Sequence, residues 1–98
     1  MFQLYHGTHN PELVVDAIIG AGLLRQGFHL TPDIEVARNY GKVVVVTLEK
    51  DLTKAHVGTI NKDGNYNANV GNGTEIVLKT PAAVNEFYAN LYDAQVLQ

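Results

Sequence analysis

Runs of apolar residues that alternate with polar ones, or that are rich in β-branched side chains, predict four strands. The runs are residues 2–5, 28–30, 42–49 and 74–79. The third contains four consecutive valines, Val43 to Val46, which is typical of a buried central strand. The tail at residues 92–97 permits two interpretations, an extension of the preceding helix or a returning edge strand.

Three segments carry the start signal of a helix, a polar N-cap residue followed by proline at the first helical position. The pairs are Asn10-Pro11, Thr31-Pro32 and Thr80-Pro81. The predicted apolar stripe of the first helix, which should end near Gly20 or Gly22, consists of Leu13, Val14, Ala17, Ile18 and Ala21. The predicted apolar side of the last helix consists of Val84, Phe87, Tyr88 and Leu91.

Residues 27–41 form the best-defined local unit, a short strand followed by a helix that Thr31 caps and Gly41 ends. Tyr40 lies at the end of this helix, on a face that can point back toward the strand that carries His29. The pattern therefore predicts a pocket flanked by His29 and Tyr40.

Residues 51–73 lack apolar periodicity and are rich in asparagine and glycine, which predicts loops and turns rather than a second core helix. A loop of this length in a small domain is often functional, and a mobile spacer is the alternative. Both interpretations remain open at this point.

The length of 98 residues predicts one domain, 1–98, with a modest core. Apolar residues make up 46% of the chain and charged residues 17%, which indicates a globular rather than a disordered protein. No apolar run is long enough to span a bilayer and no leader pattern begins the chain, so a cytoplasmic location without a membrane partner is expected by default. The net charge of −3 argues against a large basic surface for duplex binding.

Missing residue types and motifs exclude several kinds of site. The chain has no cysteine and no serine, so disulfides, thiolate catalysis, cysteine-ligated metals and a Ser-His-Asp triad are excluded. Neither GxxxxGK[ST] nor HExxH occurs. His6 and His9 lie close together in sequence, but no carboxylate accompanies them at a recognisable metal-ligand spacing, so no metal site is expected.

Three short motifs, taken in order, resemble the signatures of the ADP-ribosyltransferase fold in its diphtheria-toxin and poly(ADP-ribose) polymerase branch. They are Tyr5-His6-Gly7-Thr8, then Gly27-Phe28-His29-Leu30-Thr31 with Ala37-Arg38-Asn39-Tyr40, and finally Gly73-Thr74-Glu75-Ile76-Val77. The resemblance covers almost the whole chain. It implies a small α+β domain with a split, mostly antiparallel mixed sheet and short flanking helices.

The resemblance also implies NAD as co-substrate. The residues expected to bind it are His6, Gly7, Thr8, His29 and Tyr40. His6 would hydrogen-bond the ribose or nearby hydroxyls, Gly7 would offer backbone groups to the nicotinamide carboxamide, and Tyr40 would stack on the nicotinamide ring.

The residues expected to be catalytic by this resemblance are Glu75, His6 and His29. Glu75 would hold the ribose 2′-hydroxyl and place negative charge beside the ribosyl oxocarbenium ion that forms as nicotinamide leaves. The expected activity is mono-ADP-ribosyl transfer to a macromolecule, or NAD hydrolysis where water is the acceptor.

One position departs from that branch, because His29 stands where tyrosine is usual. A histidine in this setting is similar to the NAD-dependent RNA 2′-phosphotransferases, which share the fold and transfer ADP-ribose to an RNA phosphate. Those enzymes usually have an apolar residue at the position of Glu75, so this activity ranks second.

The acceptor is expected to be a protein rather than a nucleic acid. Arginine-modifying relatives normally have Glu or Gln at the position of Gly73, so the resemblance gives no support for arginine as the acceptor. Tyr66 and Asn67 lie in the loop before Glu75 and are candidates for target recognition, with Tyr66 able to stack on a base or side chain.

Two further interpretations do not involve catalysis. In one, the chain is an ADP-ribosyltransferase-like module that binds a nucleotide or a partner without turning NAD over. In the other, His6 and Glu75 are structural and the motifs are coincidental, so that alanine at either position would destabilise the fold.

Overall fold

The computed structural model describes residues 1–21, 27–50, 58–60, 75–78 and 80–97. Its strands are β1 (Phe2–Thr8), β2 (Phe28–Leu30), β3 (Lys42–Leu48), β4 (Gly58–Ile60), β5 (Glu75–Leu78) and β6 (Leu91–Val96). Its helices are α1 (Pro11–Val15), α2 (Ile34–Arg38) and α3 (Pro81–Asn90), and a π-helix at Asp16–Ala21 continues α1.

The strands form two three-stranded sheets, ordered β1-β3-β6 and β2-β5-β4. Every pairing among the described strands is antiparallel, so the mixed sheet expected from the sequence is wrong in that detail. A single bridge joins the two sheets, where Tyr5 and Thr31 exchange two backbone hydrogen bonds of 2.8 Å. The chain is thus a small compact α+β domain with two antiparallel sheets and short helices.

Both sheets contribute to one hydrophobic core, together with α1, the π-helix and α3. Its largest fully buried members include Phe87, Ile18, Leu30, Leu48, Ile76 and Leu78. Strand β3 is central in its sheet and buries all four valines, as predicted. Val44 and Val46 belong to the main core, and Val43 and Val45 are also buried, so β3 is covered on both of its faces.

Strand β1 continues three residues beyond the predicted end. His6, Gly7 and Thr8 pair with Val44, Val43 and Lys42 across the β1–β3 ladder. The predicted end of this strand at Tyr5 is wrong, because ladder pairing with β3 continues through these polar residues. His6 is therefore held on a strand rather than on a loop.

The first helix begins at Pro11 as predicted, but the Asn10 side chain makes no capping hydrogen bond. Leu13, placed in the apolar stripe from sequence, is 66% exposed. Of the other stripe residues, Ile18 is buried and Val14 packs against the core, as predicted. Pro11 and Val15, which were not in the predicted stripe, also contribute to the buried side. The change from α- to π-helix at Asp16 alters the rotation per residue, which a strict 3.6-residue period does not anticipate.

The second helix starts two residues later than predicted. Both backbone polar groups of Thr31 are taken up by the bridge to Tyr5, and the Thr31 hydroxyl accepts a 3.0 Å hydrogen bond from the Asp33 amide. Asp33 is the N-cap instead, and its carboxylate accepts from the Glu35 amide at 3.0 Å. The helix ends at Arg38, and the turn that follows closes at Gly41 with φ +130°.

The last part of the chain is closer to prediction. Thr80 caps α3 through a 3.1 Å hydrogen bond accepted from the Ala83 amide, and Phe87 is fully buried. The tail forms β6, which settles the choice between a helix extension and an edge strand in favour of the strand. Strand β4 lies within the stretch predicted to be loop, and it was missed.

Among the described residues, no helix combines the length and the apolar character needed to cross a membrane.

The close packing of α2 on β1 depends on the missing side chain of Gly7. A Cβ at position 7 would lie 1.8 Å from the Ala37 carbonyl oxygen and 3.0 Å from the Tyr40 Cβ. The first of these contacts is with backbone, so the helix would have to move to relieve it. Gly20 offers a matched comparison, since a Cβ there meets nothing within 4 Å.

We therefore expect Gly7→Ala to lower the free energy of unfolding by about 1–3 kcal/mol or more, as overpacking of a filled site does. Chemical denaturation with circular dichroism measures the change. Gly20→Ala should be neutral or slightly stabilising, because it adds no clash and restricts the unfolded chain. Equal stability of the two variants would contradict this packing of α2 on β1.

Candidate functional site

The candidate site lies at the seam between the two sheets, where β1 meets β2. The seam is defined here as the Tyr5–Thr31 bridge together with the side chains next to it on the two strands. His6 follows Tyr5 directly, and His29 lies two residues before Thr31. The backbone bridge therefore brings two histidines close together that are 23 residues apart in sequence.

His6 is fixed to the opposite strand by two contacts. Its Nδ1 lies 2.6 Å from the His29 carbonyl oxygen. Its ring stacks on Phe28, with 4.2 Å between ring centroids and 23° between the planes. Because a carbonyl can only accept, Nδ1 must carry the proton, and in the neutral ring Nε2 is left as a hydrogen-bond acceptor.

Burial lowers the pKa of His6 below its ordinary value of 6.5, and the nearby His29 side chain adds to this shift. The hydrogen bond to the His29 carbonyl raises the pKa, but this effect is weaker than that of burial. His6 is therefore a neutral imidazole at pH 7. The contacts of Nδ1 and of the ring fit a structural role for His6. The acceptor at Nε2 fits a role in binding a hydroxyl group.

His29 and Tyr40 complete the aromatic surroundings of His6. His29 pairs with Val77 in the β2–β5 ladder, and its side chain is exposed. Tyr40 lies in the turn after α2, where its amide donates a 3.0 Å hydrogen bond to the Ala37 carbonyl. Its side chain is 51% exposed, so an aromatic surface is open to solvent beside the two imidazoles.

A small pocket opens among these residues, lined by Tyr5, His6, Gly7, His29 and Tyr40. We call it the seam pocket. It encloses about 60 Å³, well below the roughly 300–1,000 Å³ of a complete small-molecule site. The structure thus brings together four of the six residues predicted to bind NAD or to act in catalysis. It also places His29 and Tyr40 in one pocket, as predicted.

Gly7 lines the seam pocket, but the group that approaches it most closely is the Ala37 carbonyl of α2. The absence of a side chain at position 7 is thus required by packing within the protein. This packing seats the end of α2 on β1 and carries Tyr40 to the pocket. Backbone contact between Gly7 and a nicotinamide carboxamide remains a prediction.

Thr8 does not line the seam pocket. It pairs with Lys42 in the β1–β3 ladder, and its hydroxyl accepts a 3.1 Å hydrogen bond from the Asn10 amide. The hydroxyl therefore stabilises the entry into α1. A direct role of Thr8 in binding NAD stays a prediction.

Glu75 is the first residue of β5, the strand that pairs with β2. It pairs with Ile60 of β4 and lies two residues before Val77, the partner of His29. Positions two apart on a strand belong to the same face of a sheet, so positions 75, 77 and 29 share one face. The predicted target-recognition residues Tyr66 and Asn67, and Gly73, lie outside the described residues.

Two members of the site were not predicted from sequence. Phe28 and Tyr5 belong to the motifs that carry the resemblance, but neither was predicted to have a role in the site; Phe28 stacks on His6, and Tyr5 lines the seam pocket. The signal that could have found Tyr5 is its place directly before His6 on a strand that continues. Among the described residues, no group of three or more His, Asp or Glu side chains could hold a metal ion.

The geometry around His6 predicts its titration. The imidazole should titrate below pH 6.5, and the shift should decrease in Phe28→Leu, because loss of the stacked ring reduces desolvation. Since the unfolded chain then binds more protons than the folded one near pH 6, the free energy of unfolding should fall as pH drops below 6.5. Imidazole NMR signals followed against pH measure the pKa directly, and a value for His6 at or above 6.5 would contradict the description.

The comparison with known proteins gives no relative: no protein-family model, curated protein or solved structure matches this chain.

Proposed function

We propose that this chain is an NAD-dependent mono-ADP-ribosyltransferase that modifies a macromolecular target and releases nicotinamide. The observation that carries the proposal is the seam pocket, which gathers His6, His29 and Tyr40 from three separate segments. If the three residues bind NAD, as the resemblance of the sequence motifs implies, they must lie in one site.

Tyr40 is the residue proposed to hold the nicotinamide ring. Its side chain is half exposed at the rim of the pocket, so a planar ring can cover it without displacing a buried neighbour. Such stacking contributes about 1 kcal/mol beyond the area buried. His29 lines the same pocket and offers a second ring in place of the tyrosine usual in the branch that the motifs resemble.

His6 is suited to a site where positive charge develops. Its lowered pKa keeps the ring neutral at pH 7, so it adds no positive charge beside an oxocarbenium ion. Its Nδ1 proton is held by the His29 carbonyl, which leaves Nε2 free to accept a hydrogen bond from a ribose hydroxyl. The neutral state therefore serves both binding and catalysis.

Glu75 is proposed as the catalytic carboxylate. Strand β5 lies beside β2, and position 75 shares a sheet face with His29. In the reaction, the bond between the ribose C1′ and the nicotinamide nitrogen breaks, and its electron pair stays on nicotinamide, which leaves neutral. An acceptor nucleophile then attacks C1′ and loses its proton, while the carboxylate stabilises the cation in between.

The size of the seam pocket limits what it can enclose. A volume of about 60 Å³ receives part of one ring, not a dinucleotide. The remainder of NAD and the acceptor must therefore lie along the open surface beside the pocket. A shallow site of this kind leaves the ribosyl cation accessible to a large acceptor.

RNA 2′-phosphotransfer is the second candidate, favoured by the position of His29 in the seam pocket. It uses the same first step, with an RNA 2′-phosphate as the nucleophile. Incubation with NAD and a 2′-phosphorylated oligonucleotide separates the two activities, because only the phosphotransferase removes that phosphate.

Nicotinamide release from NAD tests the proposed function. Wild-type protein should release nicotinamide in the presence of a cell lysate and transfer ADP-ribose to a macromolecule, detected by intact mass. Glu75→Gln should lower the rate by about a hundredfold or more, because the neutral amide cannot stabilise the cation. Circular dichroism and melting should be the same as for wild type.

Glu49→Gln is the matched control, since it removes the same charge from an exposed position after β3 and should leave the rate unchanged. If wild-type protein releases no nicotinamide with or without lysate, the transferase proposal is wrong. The same conclusion follows if Glu75→Gln is as active as wild type.

A further inference from the structure

A second pocket lies beside the turn that carries Tyr40. It is an open depression of about 420 Å³, lined by Arg38, Gly41, Lys42, Val43 and Leu97. We call it the Arg38/Lys42 pocket. Its volume lies in the range of roughly 300–1,000 Å³ that small-molecule sites occupy, unlike the seam pocket.

The charge of this pocket is positive although the chain as a whole carries −3. Two of its five lining residues are cations, and no acidic side chain is among them. Glu35 contacts Arg38 from outside the lining, with 2.6 Å between Oε1 and Nη1. A guanidinium has five N–H donors, so this single contact leaves most of them available for another anion.

The turn below the pocket is closely packed. Gly41 has φ +130°, and a Cβ there would lie 2.8 Å from the Thr8 carbonyl oxygen, so a side chain at this position is excluded. The carbonyl groups at the end of α2 accept hydrogen bonds from the amides of Asn39, Tyr40 and Gly41. Because these carbonyls are already hydrogen-bonded, they repel an anion in the pocket less strongly.

The two pockets are neighbours. Gly7, which lines the seam pocket, pairs directly with Val43, which lines the Arg38/Lys42 pocket. Tyr40 and Gly41, consecutive in the chain, likewise belong one to each. A ligand whose aromatic ring stacks on Tyr40 can therefore extend across the adjacent turn to Arg38 and Lys42.

We propose that the Arg38/Lys42 pocket binds the phosphate groups of a nucleotide. Arg38 supplies a planar set of N–H donors and Lys42 a mobile ammonium, a pairing suited to a phosphate oxygen cluster. The phosphates have two possible sources, the pyrophosphate of the dinucleotide whose nicotinamide occupies the seam pocket, or the phosphate of a second ligand. Only the first source rests on the proposed function.

Binding of three probes to the whole chain tests the proposal by calorimetry at low salt. Inorganic pyrophosphate and ADP carry phosphate, and nicotinamide riboside carries none. Wild-type protein should bind the two phosphate probes, and added salt should weaken both because exposed charges are screened. Lys42→Gln should raise the Kd for each phosphate probe by about fivefold, which corresponds to the largest free energy usual for one exposed charge pair. It should leave the binding of nicotinamide riboside unchanged.

Lys50→Gln is the matched control. Lys50 is also exposed, but it pairs with Glu86 and does not line the pocket, so its loss should leave the affinity for pyrophosphate unchanged. Failure of wild-type protein to bind either phosphate probe would overturn the proposal. Equal weakening by Lys50→Gln and Lys42→Gln would also overturn it, because the effect would then be one of net charge alone.

Competition identifies the source of the phosphate. If saturating NAD displaces pyrophosphate, the pocket holds the phosphates of NAD itself. If pyrophosphate binds equally well in the presence of NAD, the pocket belongs to a second phosphate-bearing ligand. Either result supports the phosphate site. Because pyrophosphate contains no nicotinamide, its binding is independent of whether the transferase proposal holds.

Discussion

The meeting of β1 and β2 is the constraint on which the candidate site depends. Only one bridge joins the two sheets among the described residues, the pair of 2.8 Å hydrogen bonds between Tyr5 and Thr31. Each such bond contributes about 0.5–1.5 kcal/mol net, so the bridge alone is a modest link. His6 reinforces it by binding the His29 carbonyl and stacking on Phe28.

In this arrangement His6 contributes both to the stability of the fold and to the candidate site. The contacts through Nδ1 and the ring face hold the sheets together, and they also fix the tautomer that leaves Nε2 as an acceptor. The burial that comes with them lowers the pKa and keeps the ring neutral. The structural and the functional interpretations of His6 are therefore compatible, and loss of the side chain would affect both stability and the site.

Sequence patterns correctly predicted those elements whose structure is determined by residues nearby in sequence. The valines of β3 form a buried central strand, and Thr80 caps α3, because a run of β-branched residues and a cap before proline need little help from distant residues. The predictions failed where a distant partner decides. Thr31 does not begin a helix because Tyr5 takes its backbone groups, and β1 extends through His6 because β3 pairs with it.

The candidate site shows the same difference between features set by nearby residues and features set by distant ones. The positions of His29 and Tyr40 beside one pocket followed from their spacing around α2, and this prediction is confirmed. The hydrogen bond of His6 to a carbonyl 23 residues away could not be predicted, since it depends on how two sheets meet. The Arg38/Lys42 pocket could not be predicted either, since the sequence shows two basic residues four apart but not the open depression that they line together with Leu97.

The central claim is that the seam pocket receives the nicotinamide end of NAD, and side-chain NMR tests it most directly. The ring signals of His6, His29 and Tyr40 would be followed during titration with NAD and, separately, with ADP-ribose, which lacks nicotinamide. We expect NAD to shift all three sets of signals and ADP-ribose to leave those of Tyr40 nearly unchanged. If saturating NAD moves none of the three rings, the seam pocket is not a nicotinamide site.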